Sequence, residues 1–166
     1  TASGAHFYTA DQRPFYAVGA YGSTNPSAGT NSRADWGFAL LPESRLTYQT
    51  IIGWGPGRDP TSAVNPGENG SPVWVMPVPP NGSNAAIGIC VDYDGDGAGA
   101  LTDSFGFRYD TLLTLNPLQN AKVFDPDGDQ SAMVLYVCDG SAAQLAAALG
   151  QDAATASPAE PGLDLG

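Results

Sequence analysis

The stretch Ala85-Ala86-Ile87-Gly88-Ile89-Cys90-Val91-Asp92-Tyr93 reads as one buried β-strand and decides the fold. It is a short apolar run with β-branched residues, closed by turn signals on both sides. Before it, Pro79-Pro80-Asn81-Gly82 is a turn, and Val73–Val78 gives a second strand signal. Pro77 lacks an N–H for a ladder, so that end of the strand is expected at an edge or a turn. After it, Lys122–Asp125 and Ala132–Cys138 read as two further strands, joined by Pro126-Asp127-Gly128-Asp129. Upstream, strand signals occupy Pro14–Tyr21, Trp36–Leu41 and Leu46–Ile52.

Loops and helices complete the pattern. Ser23 to Ser32 has no apolar period and reads as a long loop. Gly53 to Gly70 holds three prolines and five glycines and reads as another, of a length usually tied to function or to a covered partner surface. Two helices are expected. Arg108–Leu115 would turn Leu112, Leu113 and Leu115 inward and stop before Pro117; Ser141–Leu149, rich in alanine and leucine, would be capped by Asp139 or Ser141 and closed by Gly150. The fold class is therefore mainly β with short helices, a small β-barrel or sandwich-like core with an extended N-terminal arm. Residues 1–34 form that arm and loop, 35–150 the core ending in a short helix, and 151–166 a flexible acidic tail.

Composition agrees. Of 166 residues 42% are apolar, enough for one core, and only 14% are charged. A net charge of −11 with Lys122 as the one lysine argues against nucleic acid and anionic membrane surfaces as partners. No run of about 18 apolar residues would span a bilayer. The start at Thr1 fits removal of an initiator methionine or of a signal peptide. For Cys90 and Cys138, two buried thiols are the preferred reading and a bridge between neighbouring strands the alternative.

The sharpest chemical pattern is Asp92-Tyr93-Asp94-Gly95-Asp96-Gly97, continued to Asp103. Carboxylates at the first, third, fifth and twelfth places with glycine at the sixth match an EF-hand-type calcium loop, because calcium wants several hard oxygens converging. Asp92, Asp94, Asp96 and Asp103 are thus candidate ligands. Gly99 stands where such a loop wants an apolar anchor, and no flanking helix pair is evident. A second cluster, Asp125-Pro126-Asp127-Gly128-Asp129, lacks a downstream ligand. Solvated acidic turns are the plainer reading of both, and no cofactor is required.

Catalytic groups are sparse. The one histidine, His6, lies in the N-terminal stretch, a poor place for a held imidazole, and Glu43 with an aspartate would be the remaining hydrolytic pair. Trp36, Trp54 and Trp74 suit core packing better than a carbohydrate platform. No catalytic residue is assigned, and the chain is expected not to be an enzyme.

Val73-Trp74-Val75, Gly82-Ser83-Asn84-Ala85-Ala86-Ile87-Gly88-Ile89 and Phe105-Gly106-Phe107-Arg108-Tyr109-Asp110 together resemble the central part of the phage lambda-type head-decoration protein family. Trp74, Gly88, Phe107, Arg108, Tyr109 and Asp110 stand at motif positions, and Ala132–Val137 falls where that family ends its core. The long N-terminal part, the acidic double turn and the C-terminal segment depart from it. The resemblance implies a non-enzymatic cement protein on the exterior of a virion. Such a protein sits as a homotrimer on the major capsid protein, and its N-terminal arm adds a strand to the shell. Phe7, Tyr8, Phe15, Tyr16 and Val18 would be the capsid-binding residues of that arm. The alternative is a secreted calcium-dependent β-sandwich module, adhesive or carbohydrate-binding.

Overall fold

The computed structural model describes residues 4–11, 13–25, 30–55, 72–80 and 83–150; between 20 and 38 only the backbone course is described. The chain is mainly β, with eleven strands among these residues. They are β1 (Val18–Asn25), β2 (Thr30–Ala39), β3 (Gln49–Ile51), β4 (Val73–Val78), β5 (Ile87–Asp92) and β6 (Leu101–Thr102), followed by β7 (Arg108–Tyr109), β8 (Thr111–Leu115), β9 (Ala121–Val123), β10 (Val134–Val137) and β11 (Gln144–Leu149). Among them lies a 3-10 turn at Glu43–Arg45.

Two antiparallel sheets carry the core, one ordered β3-β10-β5-β8 and the other β11-β4-β9. Their inward side chains belong to one cluster. Val73 and Val75 of β4, Val123 of β9 and Leu145 of β11 meet Ile87, Ile89 and Val91 of β5, Leu115 of β8 and Leu135 of β10. Met133, just before β10, is fully buried among them. This is a sandwich, with alternate residues of each strand facing in. At one corner Thr47 bridges Leu145, so the segment leading into β3 links the two sheets.

Pro77 sits in β4, the central strand of its sheet. It pairs with Leu145, whose own N–H goes to the Thr47 carbonyl. β9 pairs only with Val73 to Val75, and the Pro77 carbonyl accepts from the Leu118 N–H. The proline ring therefore faces the side where the ladder has already ended, as its missing N–H requires.

Both expected helices are strands. Residues 108–115 form β7 and β8, with Leu115 buried, Leu113 half-buried and Leu112 and Thr114 exposed: a period of two. The adjacent leucines hide that alternation. Gln144–Leu149 pairs with all six residues of β4. Its helix-forming composition yields because an isolated helix this short is marginal, whereas pairing satisfies its backbone and buries Leu145. Asp139 does accept the Ser141 N–H, much as a helix cap would, but Gly140 at φ 77° turns the chain into a strand instead.

Of the loop expected at 23–32, residues 23–25 and 30–32 are strand, since β1 runs to Asn25 and β2 starts at Thr30, in register from Val18↔Ala39 to Asn25↔Thr30 with a bulge between Gly22 and Thr24; residues 26–29 lie outside the described residues. Cys90 and Cys138 form a disulfide rather than two thiols. Neighbouring strands β5 and β10 bring them together, with Cys138 donating its N–H to the Gly88 carbonyl. The acidic tail at 151–166, most of the 53–70 loop, Asn81 and Gly82 lie outside the described residues, as does the side chain of Trp36.

Candidate functional sites: paired acidic turns and an apolar groove

The antiparallel pairing of β5 with β10 sets Asp92 opposite Val134. The turn leaving β5 and the turn entering β10 consequently emerge at the same end of the sheet. Gly95, at φ 65°, packs against the Ala132 carbonyl and seals the contact between them.

Within the first turn, Asp92 is buried and its two carboxylate oxygens accept the N–H groups of Gly95 and Gly97, at 3.1 and 2.9 Å. Asp96 accepts from Ala98 at 2.7 Å. Asp103 lies further on, closing the β6–β7 hairpin by accepting from Phe105 and Phe107, both at 2.9 Å. Its second oxygen and the Tyr136 hydroxyl are both buried; burial, with Asp103 beside it, pushes the Tyr136 phenol up to about 12. Gly99 replaces the apolar anchor of an EF-hand loop because a Cβ there would lie 2.1 Å from the Tyr109 carbonyl carbon. The four carboxylates Asp92, Asp94, Asp96 and Asp103 therefore do not converge as that motif requires.

The second turn is a ladder in which Asp125, Asp127 and Asp129 each accept the N–H two residues on, at 2.8–2.9 Å. Among the described residues, the carboxylates that meet are Asp94 from the first turn and Asp125 and Asp127 from the second, with one oxygen of each within 4.8 Å of the others. Asp125 is only 5% exposed, and its Oδ2 is buried without a hydrogen-bond partner. Burial, with the charges of Asp127 and Asp94 added, pushes its carboxyl up to about 6 against the pull of the Asp127 N–H. Asp94, though exposed, is also raised, by desolvation and then by Asp127 and Asp96. Both acidic clusters are visible in the sequence. Their union is not, because it depends on a strand pairing across more than forty residues.

The residues at the head-decoration motif positions serve the frame. Arg108 Nε donates to the Gly99 carbonyl at 2.8 Å, Tyr109 is buried, and Asp110 accepts the Tyr93 N–H at 2.8 Å. Phe107 is exposed at the hairpin tip, and the helix expected to follow Asp110 is β8. Gly88 lets Asp139 approach, whose Oδ2 accepts the Gly88 N–H at 2.7 Å. Trp74 donates to the Gly150 carbonyl at 3.1 Å and lies under Lys122, so it is a packing residue; Trp54 is exposed.

Residues 4–11 and 13–17 run beside the outer face of the β11-β4-β9 sheet, tied by the Gly4 N–H to the Leu118 carbonyl at 2.6 Å. Between them lies a groove of about 580 Å³ whose walls include Phe7, Tyr8 and Phe15 on one side and Met76, Val78 and Ala146 on the other. Phe7, Tyr8, Phe15, Tyr16 and Val18 are all more than half exposed. At the rim, His6 Nε2 stands 3.2 Å from Glu43, so the partner of Glu43 is His6 and not an aspartate. Comparison with protein-family models, with curated proteins and with solved structures finds no significant match to this chain.

Proposed function

We propose that this chain is a secreted β-sandwich binding module of the adhesive or carbohydrate-binding kind, which works by surface contact rather than by chemistry. The observation that carries the reading is the groove: a concave, mostly apolar and aromatic surface of about 580 Å³ with a few polar groups at its rim, among them His6, Glu43 and Arg13. Size and lining are those of a ligand site, and a saccharide offers apolar faces for Phe7, Tyr8 and Phe15 with hydroxyls for the rim. The Cys90–Cys138 bridge supports an oxidising setting. Most aspartates near the acidic turns are engaged by backbone N–H groups of their own loops, which is structural use. The test is titration of the full chain with soluble oligosaccharides, followed through the methyl resonances of Met76, Ala146 and Ala147. Shifts that Tyr8→Ala and Phe15→Ala abolish support the reading. Silence of those methyls at millimolar ligand across the panel refutes it.

One observation favours a second reading, decoration of a viral shell. Four of the exposed aromatic residues, Phe7, Tyr8, Phe15 and Tyr16, lie in one N-terminal segment, as a capsid-clamping arm of a homotrimer would place them. That arm would have to leave its own sheet in order to dock on a major capsid protein. Deletion of residues 1–21 tests it: wild-type binding of the truncated chain to expanded shells would rule the arm out.

A further inference from the structure

We propose that Asp94, Asp125 and Asp127 form a calcium site that ties the turn after β5 to the turn before β10. Two independent observations point to a cation. Three carboxylates drawn from two separate turns converge within 4.8 Å. Asp125, almost wholly buried, also keeps an oxygen with no donor to satisfy it. A buried, unpaired carboxylate oxygen is costly, and a hard divalent cation supplies what it lacks.

The spacing selects among cations. Oxygens that share a calcium at about 2.3–2.6 Å from the ion are separated by up to about 5 Å, so the three are within reach of one ion with little movement of the turns. Magnesium, at about 2.0–2.1 Å and with a strict octahedron, leaves less room and parts reluctantly with its water. Calcium accepts six to eight oxygens in flexible geometry. Three aspartates binding through one or two oxygens each would supply three to six of them, with backbone carbonyls and water for the rest. Asp92 and Asp96 then play a supporting part, holding the turn that presents Asp94 through Gly95, Gly97 and Ala98.

The site would staple a corner that the sandwich leaves to loops, and its occupancy rests on the extracytoplasmic reading, where calcium is millimolar. Its own test is separate from that of the groove. Calcium chloride, and magnesium chloride in parallel, is titrated calorimetrically into the full chain stripped with chelator, and melting curves are recorded in the same buffers. We expect one calcium per chain with a dissociation constant on the order of 10⁻⁵–10⁻³ M, a higher Tm in 5 mM calcium, and much weaker binding of magnesium. Asp127→Asn and Asp94→Asn, both at exposed positions, should weaken binding at least tenfold and remove the gain in Tm. Asp103→Asn should leave a site, since Asp103 closes the β6–β7 hairpin and does not belong to the seat. Absence of heat and of any Tm change at 10 mM calcium overturns the proposal. So does the reverse pattern, in which Asp103→Asn abolishes binding and Asp127→Asn does not, for that is the signature of the EF-hand register. Neither outcome bears on whether the groove binds saccharides.

Discussion

A Cβ built on Gly95 would stand 2.4 Å from the carbonyl oxygen of Ala132, so the two acidic turns touch backbone to backbone at this point. Gly95 also has φ 65°, a region that costs an L-residue about 1–2 kcal/mol. Gly97 shares the second property, at φ 66°, but faces open space. Gly95→Ala should therefore destabilise by the backbone term plus the cost of pushing the turns apart, about 3 kcal/mol or more, and Gly97→Ala by the backbone term alone. Urea unfolding of both variants measures the difference. Equal losses would mean that the contact with Ala132 contributes nothing.

The strand at Gln144–Leu149 makes a second, sharper expectation. Leu145 is buried in the common core, its N–H bonded to Thr47, and Leu145→Ala should cost about 2–5 kcal/mol. Ala148, half-buried and opposite Trp74, lies on the other face. There Ala148→Thr should be neutral or slightly stabilising, because a β-branched residue suits a pleated surface. In a helix the same change would lose about half a kilocalorie per mole. Melting temperatures of the two variants separate the cases.

How far the sequence reveals this arrangement depends on whether local and global preferences agree. At Ile87–Asp92 and Val73–Val78 they do. β-branched runs bounded by turns become strands where expected, and even Pro77 finds the side of β4 where its missing N–H does no harm. At Leu112-Leu113 and Ala146-Ala147-Ala148 they conflict, and sheet pairing overrides helix propensity. The disulfide and the meeting of Asp94 with Asp125 and Asp127 are not legible for a common reason. Both follow from the register of β5 on β10, and nothing local to either strand specifies its partner. The groove is equally hidden, because it needs residues 5–9 and 13–17 to lie along β4 and β11, a relation that exposed Phe7 and Tyr8 do not announce.

Acid stability should carry the mark of Asp139. Burial alone would raise its carboxyl, but the N–H groups of Gly88 and Ser141 outweigh burial and hold it below the usual carboxylate range. A folded-state value lower than the unfolded one means that this carboxylate favours the folded state above the unfolded value, about 3.9, and loses that contribution as pH falls through the folded value. Asp139→Asn removes the titration. The urea midpoint of the variant should lie below wild type at pH 7, and the gap should close toward pH 2. A gap that stays constant with pH would place the effect in packing against Gly88 rather than in charge.

The Cys90–Cys138 bridge closes a loop with a sequence separation of 48 residues. On the chain-entropy model such a loop is worth about 4 kcal/mol, and removal of native bridges costs about 2–5 kcal/mol in practice. For a chain of this size that corresponds to a fall in Tm on the order of 10 °C. The effect should be spread unevenly. β5 and β10 meet at the disulfide near one end and at the paired acidic turns near the other, so reduction loosens Gly88 and Asp139 first and leaves the Asp92↔Val134 end to calcium and to the Gly95 contact. Hydrogen exchange on the Cys90→Ser/Cys138→Ser double variant, with and without 5 mM calcium, resolves this. Protection should drop at Gly88 and at position 138, whose N–H groups bond Asp139 and the Gly88 carbonyl, in both conditions but recover with calcium near the Asp92↔Val134 pair. A uniform loss along both strands that calcium does not touch would show that the two ends of this strand pair are not held independently.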